Sequence, residues 1–241
     1  MSTLRPTRPS KKKSTRAPSP AKDKAATSRP SSKKAEADGR LVSAGIRMKI
    51  LDGAVDAFAR RGFADTRVED ILEAAGVSRP TFYKVYNSKD DVFHVIAEMS
   101  QVSLVQSIKN AVGTVRDQNQ KLEKAVEAYL QWRATTGPIG RVVDLEMRRP
   151  GSPIAVLRRT TFAAVRAVLE DEMKRAERLA IDPLVYVGLV AALEAISNTL
   201  FRERTVGPEQ LLRRSRVMNR ILQATLAEKG DVVAALPRMS E

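Results

Sequence analysis

The chain has no cysteine. Disulfides, zinc–thiolate sites and thiol catalysis are therefore excluded, and a reducing compartment is expected. Histidine is nearly absent too. The one residue, His94, has no carboxylate or cysteine spaced to share a metal, so a packing or helix-surface role is expected for it. Nothing matches G-x-x-x-x-G-K-[ST], a strand-borne G-x-G-x-x-G or the G-x-S-x-G elbow. No catalytic residue, metal or cofactor is expected, and a binding protein is preferred to an enzyme.

Long apolar runs are also missing. The longest, Leu184 to Leu193 with Gly188 inside it, falls well short of the ~20 residues of a membrane-spanning helix. The basic N-terminus has no apolar stretch behind it that would make a secretory signal. The expectation is a cytoplasmic protein with no membrane partner. Strand-like alternation and internal repeats are not found either, which leaves an all-α fold.

What is abundant is positive charge. The 241 residues carry a formal net charge of +14. Residues 1–40 hold 12 Lys or Arg and 3 Asp or Glu, a balance of +9, so the remainder is only mildly basic at +5. Leu4 is the one large aliphatic side chain in that stretch. Too little apolar surface can be buried there to offset ordering entropy, so a disordered basic tail is expected over 1–40. Beside a nucleic-acid-binding domain it would add salt-dependent affinity with little sequence preference. An architectural or nucleoid-type DNA binder driven by this tail, without an effector, is the competing reading.

Residues 66–89, TRVEDILEAAGVSRPTFYKVYNSK, organise the rest. Thr66 and Glu69 have the spacing of a capping box. Val68, Ile71, Leu72 and Ala75 form one apolar face, and Gly76 stops the helix. Ser78 can cap a second helix with Pro80 in its first turn, where a missing N–H costs nothing. Two short helices about a Gly-containing turn make a helix-turn-helix. Phe82 and Tyr86 can pack inward with Val85 beside them. Arg79, Thr81, Tyr83 and Lys84 are then left on other faces, where their donors suit the major groove.

Ahead of this motif, a helix from about Ser43 to Arg61 repeats Ile46, Ile50, Ala54 and Phe58, with Gly62 as its stop. Gly53 within it marks a close approach by a neighbouring helix. Arg47 near its start is a candidate phosphate contact. Behind the motif, Ser88 and Asp91 read as a cap for a connecting helix carrying Val92, Ile96 and Met99 on one face.

Residues 46–96 resemble the N-terminal DNA-binding domain of the TetR/AcrR family of bacterial transcriptional regulators. Three pieces carry the resemblance in order and spacing: ILDGAVDAFARRGF, TRVEDILEAAGVS and TFYKVYNSKDDVF. Pro80 and Val85 depart from the residues common in the family at those places. The resemblance implies base contacts from Arg79, Pro80, Thr81 and Lys84, and phosphate contacts from Tyr83 and Lys89, to which Thr66 and Arg47 are added. It also implies a three-helix DNA-binding domain over 41–91, followed by a larger helical effector-binding and dimerisation domain over 92–230 and a short tail over 231–241. The implied activity is a homodimeric repressor released from a palindromic operator by a small apolar or amphipathic effector.

In the second domain, Leu122, Val126, Tyr129 and Leu130 form a stripe interrupted at Gly137–Pro138, and Pro150–Gly151 ends a shorter helix. Ser152–Pro153 and Asp182–Pro183 read as starts of the next two helices, and Gly207–Pro208 precedes the last. The helix from Leu184 to Phe201 is apolar on nearly all sides, so more than one face must be covered. Its outer face, with the last helix, is the expected dimer seam. Trp132, Tyr129, Asp144, Glu194 and Asn198 are the candidate pocket residues; the alternative places Glu194 and Asn198 in the dimer seam, fixing its register, and Trp132 in the core. Arg141, Arg148, Arg149, Arg158 and Arg159 could receive the phosphates of an acyl-coenzyme A, but a solvated arginine surface is expected of them.

Overall fold

The computed structural model describes residues 32–177, 180–203 and 206–227, with side chains described from residue 43 onward except at 118, 119 and 202. The chain divides into two compact units, Met1–Leu41 and Val42–Glu241. Of the first, only the helical residues from 32 onward are described; the core and the candidate sites belong to the second. The described residues are all helix, turn and loop: α1 (Ser32–Asp65), α2 (Val68–Ala75), α3 (Arg79–Tyr83), α4 (Lys89–Gly113), α5 (Gln118–Arg148), α6 (Ala155–Arg175), α7 (Pro183–Asn198), a 3₁₀ turn η1 (Thr199–Arg202) and α8 (Pro208–Leu226).

The expected tail lies outside the described residues up to 31, and residues 32–40 are already helical. Ala35, Glu36 and Ala37 are good helix formers, which favours that earlier start. Gly62 interrupts α1 with φ 77°, at the predicted stop. The tail expected over 231–241 is outside the described residues.

Local signals place most boundaries. Gly76 ends α2 in the left-handed region at φ 61°, and Ser78 Oγ accepts from the Thr81 amide at 3.3 Å to cap α3. Ser88 Oγ accepts from the Asp91 amide at 3.1 Å. The Asp91 carboxylate accepts from the Asn87 side-chain amide at 2.9 Å and the Asn87 backbone amide at 3.0 Å, and these bonds hold its pKa below the usual carboxylate range. Asp182 caps α7 through the Leu184 amide at 2.8 Å. Gly137 takes φ 54°, ψ −143° and breaks α5 just before Pro138.

Three local expectations are corrected. α2 begins at Val68 with Arg67 as its cap, and Asp70 rather than Glu69 returns the bond, accepting from the Arg67 amide at 2.8 Å. Ser152 does not cap α6, which starts at Ala155 behind Ile154; the Ser152 hydroxyl is buried without a partner among the described residues. Met99 is 52% exposed, because past Ile96 the buried stripe of α4 continues through Gln101, Leu104, Ile108 and Val112.

The packing has two main centres. In the first, Ile50, Phe58, Ile71, Phe82 and Phe93 from α1–α4 are fully or almost fully buried, and Phe58 meets Phe93 edge to face at 4.9 Å. Each such side chain contributes about 1.5–3 kcal/mol by leaving water. Val143 and Met147 of α5, with Ile154 beyond it, belong to this same core. The second centre gathers Leu122, Val126 and Leu130 of α5, Leu169 and Met173 of α6, Leu189 and Val190 of α7, and Met218 and Leu222 of α8. α5 therefore contributes to both centres, while α4 packs the helix-turn-helix core with its first half and sets Leu104, Ile108 and Val112 of its second half against Trp132.

Residues 183–201, α7 and the turn after it, are long and apolar enough to cross a bilayer by length and composition, which corrects the expectation that no segment would be. In the fold, Tyr186, Leu189, Val190, Glu194 and Ser197 turn this helix inward. Leu184 and Val187 on its other side remain 73% and 47% exposed, and Leu212 on α8 is 51% exposed.

Candidate functional site

The helix-turn-helix is held by a contact only glycine permits. A Cβ on Gly53 would lie 2.5 Å from the Ala75 nitrogen, so α2 rests directly on the backbone of α1. With α2 so seated and Gly76 turning the chain, α3 is anchored from below by Phe82, fully buried, and Tyr86, 5% exposed. Burial pushes the Tyr86 phenol pKa up, partly opposed by the charge of Arg47, whose guanidinium lies 5.8 Å above the ring.

That anchoring leaves one outward surface. Arg79, Pro80 and Lys84 are exposed there, Thr81 is half-buried, and Tyr83 is 44% exposed with its ring edge-on to Phe82 at 5.3 Å. Arg79 is ion-paired with Glu69 of α2, both side chains being more than half exposed. An exposed pair of this kind contributes about 0–1 kcal/mol, weak enough to be exchanged for a phosphate or a base edge. The Thr81 hydroxyl shares a 2.7 Å hydrogen bond with Ser78. The four expected base-contact residues thus lie along one short helix and its end, with Tyr83 among them and Arg47 exposed at the α1 edge.

Two of the expected phosphate-contact residues are engaged within the protein in this structure. Thr66 is 1% exposed, and its hydroxyl donates to the Gly62 carbonyl. Lys89 turns back over α1, where Nζ donates to the carbonyls of Phe63 at 2.8 Å, Ala64 at 3.2 Å and Thr66 at 2.7 Å. An ammonium has three donors, and here each has a backbone acceptor. Lys89 therefore closes the α1 terminus, where unpaired carbonyls favour a cation.

Behind this domain lies a cavity with about 970 Å³ of empty space, part of it open solvent. Four of the five expected pocket residues line it: Tyr129, Trp132, Asp144 and Glu194. Asn198 does not; its side-chain oxygen accepts from Arg133 beside the cavity. The Tyr129 and Trp132 rings stack at 6.3 Å. Burial drives the Tyr129 phenol pKa upward, and its hydroxyl shares a 2.7 Å hydrogen bond with Ser197.

The polar side of the cavity is an alternating charge network. Arg133, 5% exposed, donates to Asp144 at 3.1 Å. Arg148 bridges the acids, with Nε 3.0 Å from Asp144 and Nη2 2.9 Å from Glu194. Arg158 closes the series with Nη2 at 2.6 Å from Glu194, and that hydrogen bond raises the Arg158 pKa above its usual value. The solvated surface expected for Arg148 and Arg158 is corrected accordingly: both are about one-third exposed and turned inward onto carboxylates.

Sequence reasoning missed Arg133 and Gln101. Arg133 had one legible signal, since it continues the Leu122, Val126, Tyr129 stripe where an apolar residue belongs. Gln101 on the buried face of α4 gave the same signal.

Comparison with known proteins places these features. Residues 50–96 match the family model for bacterial regulatory proteins of the tetR family. The HTH-type transcriptional activator FasR of Mycolicibacterium smegmatis is 30% identical over 86 residues, 36% of this chain and 39% of that protein. The chain thus spans about two fifths of FasR. Among solved structures, the fatty acid degradation regulator FadR from Bacillus halodurans superposes with a TM-score of 0.63 at 20% identity, covering 77% of this chain and 96% of its own. A SmeT–triclosan complex gives 0.62 at 20% identity, covering 82% and 99%. At that identity the two structures establish a shared fold.

Proposed function

We propose that residues 50–96, which match the family model for bacterial regulatory proteins of the tetR family, are the DNA-binding part of a homodimeric repressor that a small molecule releases from a palindromic operator. The observation that carries the reading is the outward surface of α3. Its apolar residues are used up by the core, and Arg79, Pro80, Thr81, Tyr83 and Lys84 stand free of it. Arg79, Pro80, Thr81 and Lys84 read base edges, while Tyr83 and Arg47 meet phosphates.

A recognition helix of this length touches few base pairs, and a two-fold dimer doubles the contact. The exposed Leu184, Val187 and Leu212 support a seam through α7 and α8, where apolar side chains from two copies would leave water together. The effector enters the cavity bounded by Tyr129, Trp132, Asp144 and Glu194. Coupling follows from α4 and α5, each of which lines the cavity with some residues and packs the helix-turn-helix core with others. Displacing either helix changes the spacing of two recognition helices. The site of action is the cytoplasm, where such an operator is found.

The test is selection of bound fragments from a random duplex pool by the full chain, followed by a metabolite screen for release of the selected fragment. Inverted repeats with half-sites about 34 Å or a multiple apart are expected. Sequence-blind binding that disappears when residues 1–40 are removed would instead favour the architectural binder.

A further inference from the structure

Two buried nitrogen donors without an acceptor belong to side chains that line the same cavity. Arg133 Nε and Gln101 Nε2 each lack a hydrogen-bond partner among the described residues; both side chains are more than nine-tenths buried, and both line the cavity. Leaving a donor in that state costs about 1–3 kcal/mol each, and more on a charged group. Such groups call for an explanation, and an absent ligand is one that accounts for both.

The missing partner's chemistry follows from what surrounds it. Both orphan atoms donate, so the partner must accept; an amine or a second amide N–H cannot serve. The charge nearby favours a negative acceptor. Arg133, Arg148 and Arg158 are joined to Asp144 and Glu194, three guanidiniums on two carboxylates, which leaves one positive charge in excess. Each of these acids is already held by two guanidiniums, so their repulsion of an incoming anion is largely neutralised. Arg148 belongs to this network without lining the cavity, and the other charged wall residues, Lys121 and Glu172, are paired with one another at 2.5 Å, Arg175 joining Glu172 as well. Apart from Thr161 and the Tyr129 hydroxyl, which bonds Ser197, the remaining wall is apolar, with Leu104 and Ile108 on α4, Trp132 on α5 and Val165 on α6.

Resting on the regulator reading above, we infer that the effector is a carboxylate with an apolar body, its head accepting from Arg133 Nε and Gln101 Nε2 and its body lying along Leu104, Ile108, Trp132 and Val165. Gln101 lies on α4, which begins at Lys89 directly behind the recognition helix, so the head group draws on the element joined to the DNA-reading surface.

The protein's single tryptophan, Trp132, lines the cavity and reports occupancy by its fluorescence. Full-length protein is titrated with decanoate, decanol and decylamine below their aggregation limits. Decanoate should bind about tenfold or more tightly than decanol, as expected for a charge-assisted hydrogen bond, with decylamine weakest. Gln101→Leu, which leaves the arginine–carboxylate network intact, should bring decanoate down toward decanol without weakening decanol. Arg133→Lys, which keeps the charge but loses Nε, should do the same. Equal or better binding of decanol or decylamine overturns the assignment, as does a decanoate preference that survives Gln101→Leu; if Arg133→Lys does not fold, Gln101→Leu decides alone. A parallel titration of the DNA complex separates the two claims. Tight decanoate binding without DNA release sinks the effector reading and leaves the head-group site standing, whereas release by decanol as readily as by decanoate sinks the head-group site alone.

Discussion

Gly53 and Ala75 are in backbone contact: a Cβ on residue 53 would stand 2.7 Å from the Ala75 Cα as well as 2.5 Å from its nitrogen. In an isolated helix, Gly→Ala gains about 1 kcal/mol. Here the added methyl meets backbone that cannot rotate away, and overpacking costs about 1–3 kcal/mol. Gly53→Ala is therefore expected to lower the midpoint of thermal unfolding and weaken DNA binding, because α2 must move off α1. An unchanged or raised midpoint in a melting experiment would show that the two helices separate without cost.

Lys84 and Tyr83 are adjacent, exposed and expected to act differently. Lys84→Ala should relax preference at one or two base positions, by about 1–3 kcal/mol of discrimination at each. Tyr83→Phe, which removes only a hydroxyl aimed at phosphate, should weaken every duplex alike. Competition binding against single-base operator variants distinguishes the two. The opposite pattern would reverse their roles.

Lys89 offers a test of structure against charge. With Nζ bound to the carbonyls of Phe63, Ala64 and Thr66, Lys89→Met should cost about 1–3 kcal/mol of folding stability in denaturant titrations. The slope of log affinity against log salt should not change, since no phosphate contact is lost. A slope smaller by about one would place the ammonium on DNA.

Asp144, on the cavity wall, joins Arg133, with a side chain 4% exposed, to Arg148. Removing one partner of a buried pair costs about 3–5 kcal/mol, because the remaining charge stays buried and uncompensated. Asp144→Asn is expected near the lower end, since its amide oxygen can still accept from Arg133. Asp144→Leu should cost more. Chemical denaturation of the two variants checks that order, and equal stabilities would mean the network contributes little.

Periodicity and capping chemistry within the chain were enough to place the helix-turn-helix, the Gly76 turn, the Ser78, Ser88 and Asp182 caps and the break at Gly137–Pro138, because each depends on residues a few positions apart. The family resemblance added Tyr129, Trp132, Asp144, Glu194 and Asn198 as pocket candidates, of which Asn198 does not line the cavity. Only the tertiary structure decided that Thr66 is sealed inside, that Lys89 reaches back to carbonyls 23–26 residues earlier, and that Arg148 and Arg158 converge on Glu194 from other helices. A side chain's partner across helices depends on how those helices pack, and that packing is a property of the whole core rather than of any window of sequence.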